Sequence, residues 1–131
     1  MALADAEMAP ADIDVVFADA AAVPDLDRAE AEAISGLFGP YGVAVTGPKA
    51  LLGRLYSGGG PVDLVTAALS IRDGLIPPTA GTVEVAADYQ IDLVRQRPRA
   101  AQVSAALVLA RGRWGFNSAV IIRKVSHDSE E

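Results

Sequence analysis

Short apolar runs alternate along the chain with polar breaks marked by glycine and proline, and their order predicts layered helices and strands. The opening "ALADAEMA" reads as a short alanine-rich helix broken at Pro10, and residues 13–18 follow as a β-branched run suited to a buried strand. "RAEAEAISGLFG" predicts a helix. Asp25 or Asp27 stands where it can cap that helix, and Glu30 follows Asp27 at capping-box spacing. Ala33, Ile34, Leu37 and Phe38 share one face, and Gly39 and Pro40 end the segment. "GVAVTG" reads as a strand and "GPKALLGRLYSGGG" as a loop long enough to line a site. A second helix is expected from Pro61. Its apolar positions Val62, Leu64, Val65, Ala68, Leu69 and Ile71 wrap most of its circumference, the pattern of a helix buried between layers.

Gly74 stops that helix, "IPPTAGTV" is an extended connection, and "YQIDLVRQRPR" reads as irregular. "VSAALVLA" and "SAVIIR", joined by "RGRWGFN", predict adjacent antiparallel strands. The expected fold class is α/β, with helices layered on a mixed, mostly parallel sheet. One domain is expected over residues 1–125, with a polar, acidic tail at 126–131.

Composition narrows the function. At 131 residues there is room for one core, and with 5% aromatic residues it must be filled by alanine, valine and leucine. Seventeen acidic and 11 basic residues give a net charge of -6, with the arginines scattered along the chain, which argues against nucleic acid as a partner. The absence of cysteine excludes disulfides, thiolate zinc sites and a cysteine nucleophile. The single histidine, His127, lies in the terminal run "SHDSEE", so no histidine dyad or multi-histidine metal site forms within one chain. With neither a charged leader before an apolar run nor an 18-residue apolar span, a soluble cytoplasmic protein is expected, without a membrane partner.

Candidate chemistry concentrates around "GRLYSGGGPVDLV". Glycines before a helix suggest a phosphate cradle, but the Lys-Ser/Thr pair and the G-x-G-x-x-G spacing are absent, and Pro61 has no N–H to donate. The acidic run "PDLDRAEAE" fits a solvated first helical turn better than a metal site. Ser57 and Ser118 lack a histidine to activate them. Lys49 needs a buried setting before it can act as a base, and otherwise reads as an exposed loop lysine.

Taken in order, "VVFADAAAVPDLDRAEAEAI", "VTGPKALLGRLYSGGGPVDLVTAALSIRDGLIPPT" and "LVLARGRWGFNSAVIIR" resemble the carboxyl-terminal half of thiolase-fold β-ketoacyl synthases, most closely the chain length factor, the ketosynthase β subunit of type II polyketide synthases. In condensing ketosynthases the first segment carries a catalytic histidine in H-G-T-x-T, which falls on Asp19 here. The second carries a lysine and, five residues on, another histidine, which fall on Lys49 and Arg54. In the third, "GRWGFN" holds Arg113 and Trp114, as in chain length factors, where condensing enzymes have G-F-G-G.

The resemblance implies no catalytic residue, no metal and no cofactor. The lysine is kept as Lys49, while Asp19 and Arg54 replace the histidines that hold the malonyl group during decarboxylation. Arg54, Tyr56, Gly58, Gly59, Gly60, Arg113, Trp114, Phe116 and Asn117 become structural or interface candidates, with the glycines letting the backbone approach a neighbour closely. It implies a noncatalytic partner of a ketosynthase α subunit in aromatic polyketide and antibiotic biosynthesis, reaching acyl carrier protein through that complex. A full subunit has two related halves, of which this chain corresponds to most of the second. The half's first strand, central in its sheet, is expected to be lacking, leaving a slot for an amino-terminal half, a ketosynthase or a second copy to close. A freestanding homo-oligomeric interaction module and a Lys49-dependent acyl-processing enzyme are the alternatives.

Overall fold

The computed structural model describes residues 1–125; the acidic tail expected at 126–131 lies outside the described residues. A short helix α1 (Ala2–Asp5) leads into strand β1 (Val15–Phe17), helix α2 (Pro24–Phe38) and strand β2 (Ala44–Thr46). Helix α3 (Gly59–Asp73) follows, then the short strands β3 (Leu75–Ile76), β4 (Asp92–Leu93) and β5 (Arg99–Ala100). The long pair β6 (Ala105–Arg111) and β7 (Asn117–Arg123) closes the chain.

The main sheet has the order β4-β2-β1-β6-β7. β1 runs parallel to both neighbours, Val16 facing Val45 on β2 and Leu107 on β6, and only β7 is antiparallel. β1 is fully buried on both faces, as its unbroken Val-Val-Phe run requires. Val16, Ala105 and Leu107 point to the side covered by α2 through Ile34, with Phe38 packed against that cluster. Val15, Phe17, Ala106 and Val108 point to the side covered by α3 through Ala67, with Leu64 and Ile71 beside it. The chain is therefore a helix, sheet, helix sandwich, the expected α/β class with a mostly parallel sheet.

Several expectations are corrected. The first central strand is not lacking: it is β1 (Val15–Phe17), within the run at 13–18, and it bonds to β2 on one side and β6 on the other, so no slot divides the sheet. The run reads as a strand from sequence, but its place in the sheet is set by long-range pairing that periodicity does not encode.

Helix α2 begins at Pro24, whose fixed φ suits a first helical position, after Val23 at the cap. Asp25 and Asp27 lie inside the first turn, where they favour the positive end of the helix dipole, and neither caps it. Its buried residues are Glu30, Ala31 and Ile34, whereas Ala33 and Leu37 face outward. The buried stripe is turned toward the acidic Glu30, which a search for apolar spacing passes over.

Helix α3 begins two residues before Pro61, so Gly59 and Gly60 are its first turn and not loop. It is covered on one side only: Gly59, Asp63, Ala67 and Ser70 are buried, while Val65 is 62% and Leu69 41% exposed. The segment read as irregular contains β4, which forms one edge strand of the sheet, and the start of β5, which pairs with β3. Two-residue strands carry no period to detect.

Candidate functional site

The carboxyl ends of β1, β2 and β6 lie side by side, the place where open α/β sheets present loops to a ligand. Asp19 leaves the end of β1, Arg54 belongs to the loop after β2, and Arg111 is the last residue of β6.

The loop after β1 is pinned from below. The Glu30 carboxylate, on α2, accepts the backbone N–H of Asp19 at 2.8 Å and of Ala20 at 3.0 Å. Burial pushes the Glu30 carboxyl above its ordinary value, and these two N–H donors oppose that shift. The loop turns through left-handed backbone at Ala20 (φ 47°) and Ala22 (φ 58°), conformations that cost a residue bearing a Cβ.

Asp19 is buried, and both its oxygens are engaged: one accepts the Arg111 N–H at 3.2 Å and the other the Arg54 guanidinium at 3.0 Å. Arg54 also donates to the Arg111 carbonyl at 3.0 Å. One guanidinium thus ties together the loops that follow β1, β2 and β6. The fork of donors on arginine allows this, and a lysine would offer only a point charge.

Lys49 lies on a 3-10 turn, Pro48–Leu51, and is buried, not the exposed loop lysine expected from the sequence. Its ammonium donates to Asp63 of α3, whose side chain is fully buried. The second Asp63 oxygen has no hydrogen-bond partner among the described residues. Burial raises the Asp63 carboxyl above its ordinary value and the Lys49 ammonium pulls it back. A cleft of about 360 Å³ lies over these groups, lined by Asp19, Asp27, Lys49, Arg54, Tyr56 and Thr79. Thr79, one of its lining residues, accepts the Gly47 N–H on its hydroxyl at 2.8 Å. Lys49 is held by Asp63 and Arg54 by Asp19, and a guanidinium cannot release a proton. Each cation is thereby fixed by a carboxylate partner.

The three glycines are not forced by close approach. A Cβ on Gly58, Gly59 or Gly60 meets its nearest neighbour at 3.7, 3.5 and 3.9 Å, ordinary contacts with Leu55, Lys49 and Ala110 of the same chain. Gly58 and Gly59 have negative φ. Across the groove, the turn after β6 presents Arg113, Trp114 and Phe116 outward. Trp114 is 92% exposed with φ 68°, Phe116 and Tyr56 are both 74% exposed, and Asn117 holds the turn through its side-chain amide and the Gly115 carbonyl at 3.3 Å. Tyr56, Pro61, Arg113, Phe116, Val23 and Leu26 line a groove of about 790 Å³.

The structure therefore joins Asp19 with Arg54 and places Lys49 beneath them, and it gathers Tyr56, Arg113 and Phe116 on an open surface. Sequence reasoning missed Asp63, Glu30 as a loop anchor, and Arg111. A signal existed for Asp63, the one carboxylate inside "PVDLVTAAL", a stretch otherwise fit for burial. None existed for Arg111, which acts here through backbone groups.

The family model described as beta-ketoacyl synthase, C-terminal domain, matches residues 1–83. The chain is 60% identical over 124 residues to an actinorhodin polyketide putative beta-ketoacyl synthase 2 of Streptomyces coelicolor, covering 95% of this chain and 30% of the relative. It is 56% identical to the tetracenomycin polyketide synthase ketoacyl synthase beta subunit of Streptomyces glaucescens, with the same coverage. The chain thus spans about a third or less of the length of these relatives. Among solved structures, the ishigamide ketosynthase/chain length factor superposes with a TM-score of 0.91 at 25% identity over 95% of this chain and 31% of that one. A type II acyl carrier protein in complex with its ketosynthase, at 20% identity and a TM-score of 0.85 over 96% of this chain and 31% of that one, shares the fold.

Proposed function

The chain belongs to the beta-ketoacyl synthase family through its C-terminal domain, and from that premise we propose that it is a noncatalytic, chain length factor-like part that pairs with a ketosynthase α subunit in aromatic polyketide assembly. Residues 1–125 act as one domain in this reading. The observation that carries it is the Asp19–Arg54 ion pair, at 3.0 Å, on the two positions that resemble the histidines of condensing ketosynthases. A histidine there exchanges protons and accepts charge as decarboxylation proceeds. Two groups that neutralise each other and anchor Arg111 do neither.

The relatives supply the partner class. One solved relative is a ketosynthase/chain length factor and another is an acyl carrier protein with its ketosynthase. On this reading the direct partner is a ketosynthase α subunit or an amino-terminal half, and acyl carrier protein is reached through that assembly. The exposed Tyr56, Trp114 and Phe116, with Arg113, are the surface we assign to contact, since aromatic residues and arginine carry the largest share of interface energy. Lys49 as an acyl-processing base is disfavoured by its burial against Asp63. The homo-oligomeric module is the second reading, favoured by the open outer face of α3.

Co-purification with an affinity-tagged ketosynthase α subunit tests the proposal. The chain is expected to be retained, and Trp114→Ala with Phe116→Ala to reduce retention while leaving the far-ultraviolet circular dichroism spectrum unchanged. Loss of the wild-type chain in the wash counts against a ketosynthase partner.

A further inference from the structure

The outer strand β7 has an unused edge with a specific register for one occupant. In the β6–β7 ladder, Gly112 donates its N–H to the Phe116 carbonyl at 2.7 Å and Lys124 donates its N–H to the Ser104 carbonyl at 2.8 Å. Antiparallel pairs alternate between bonded and non-bonded. The same alternation makes Ser118, Val120 and Ile122 the residues bonded to β6, opposite Ala110, Val108 and Ala106. Asn117, Ala119, Ile121 and Arg123 therefore turn their N–H and C=O groups the other way. Among the described residues, no strand pairs with that edge.

A regular seven-residue edge is usually blunted by proline, a bulge or several charges. β7 has no proline, its register with β6 is unbroken over all seven residues, and its one charged residue is Arg123 at the end. Its first four residues are exposed.

We propose that this edge pairs with β7 of a second copy, antiparallel about a two-fold axis at Val120, to make one sheet continuous across two chains. That register sets Ala119 opposite Ile121 and Asn117 opposite Arg123, so every outward-facing position of β7 meets a bonding partner. It keeps the two Arg123 side chains at opposite ends and gives each an uncharged neighbour. It also sets Phe116, 74% exposed, opposite Lys124 of the other copy, on one face of the sheet and within reach of a cation–π contact. A contact in which one patch meets itself closes at two copies and does not propagate. This inference does not depend on a ketosynthase partner, so either can fail while the other stands.

Light scattering after size-exclusion chromatography, on the chain alone over a range of concentrations, tests the pairing together with amide hydrogen exchange. The dimer mass is expected, with slow exchange at Ala119 and Ile121. Ala119→Pro removes an outward N–H without breaking a bond to β6 and is expected to give a folded monomer. Ala119→Lys, which leaves the backbone intact, is expected to weaken the dimer about tenfold or more, and decides the matter if the proline variant does not fold. A monomer at every concentration overturns the inference. So does a dimer unchanged by Ala119→Lys but dissolved by Val65→Glu on α3.

Discussion

Replacing Lys49 by methionine separates a structural tether from a catalytic lysine. The side chain of Lys49 is 10% exposed and that of Asp63 0%, so the variant keeps the volume but leaves a buried carboxylate whose other oxygen already has no partner. Breaking a buried ion pair from one side costs about 3–5 kcal/mol, because the remaining charge is neither solvated nor paired. Against a total stability on the order of 5–15 kcal/mol, that is a large fraction. At about 3–5 °C per kcal/mol for a chain of this size, the thermal midpoint falls by roughly 9–25 °C.

Lys49→Met with Asp63→Asn removes both charges, and is expected to recover more than half of the loss. Urea denaturation followed by circular dichroism at fixed protein concentration gives both values. A loss below about 1 kcal/mol for Lys49→Met, the range of an exposed pair, refutes the tether and returns Lys49 to the list of candidate bases.

Three further predictions follow from the loop after β1 and the turn after β6. Ala20→Gly relieves a left-handed alanine at φ 47° and is expected to stabilise by about 0.5–1 kcal/mol, read from the urea midpoint; destabilisation contradicts the strain. Burial raises the Glu30 carboxyl above its ordinary value, so the folded state holds its proton more tightly than the unfolded chain. The stability contributed by this group is full below the unfolded value of 4.5 and is lost as pH rises through the raised folded value. Stability of the wild type relative to Glu30→Gln should therefore increase as pH falls from 7 toward 4.5, and a flat difference refutes the shift. Trp114→Ala, at a side chain 92% exposed, should change stability by less than about 0.5 kcal/mol, and a larger loss means the indole packs within the fold.

The layered α/β class was legible because its longer elements keep their periods: α2 and α3 repeat as helices, while β6 and β7 run apolar between polar turns. The central position of β1 was not, because three residues pair with strands far away in sequence, and nothing in Val-Val-Phe says which neighbours it takes. At the site, the resemblance marked Asp19, Arg54 and Lys49, but not that the first two bond each other. Their separation of 35 residues is closed only when β1 and β2 align. The burial of Lys49 was hidden for the same reason, since its partner Asp63 belongs to the next helix. The glycines at 58–60 misled in the other direction. They suggest close approach, yet they sit in ordinary contact at the start of α3.

Native mass spectrometry of the chain mixed with its cognate ketosynthase α subunit decides whether the chain is a noncatalytic ketosynthase partner. A species containing both chains is expected, depleted by Tyr56→Ala, Trp114→Ala and Phe116→Ala together. Free chain and free ketosynthase alone, at concentrations where the chain is folded, would contradict it.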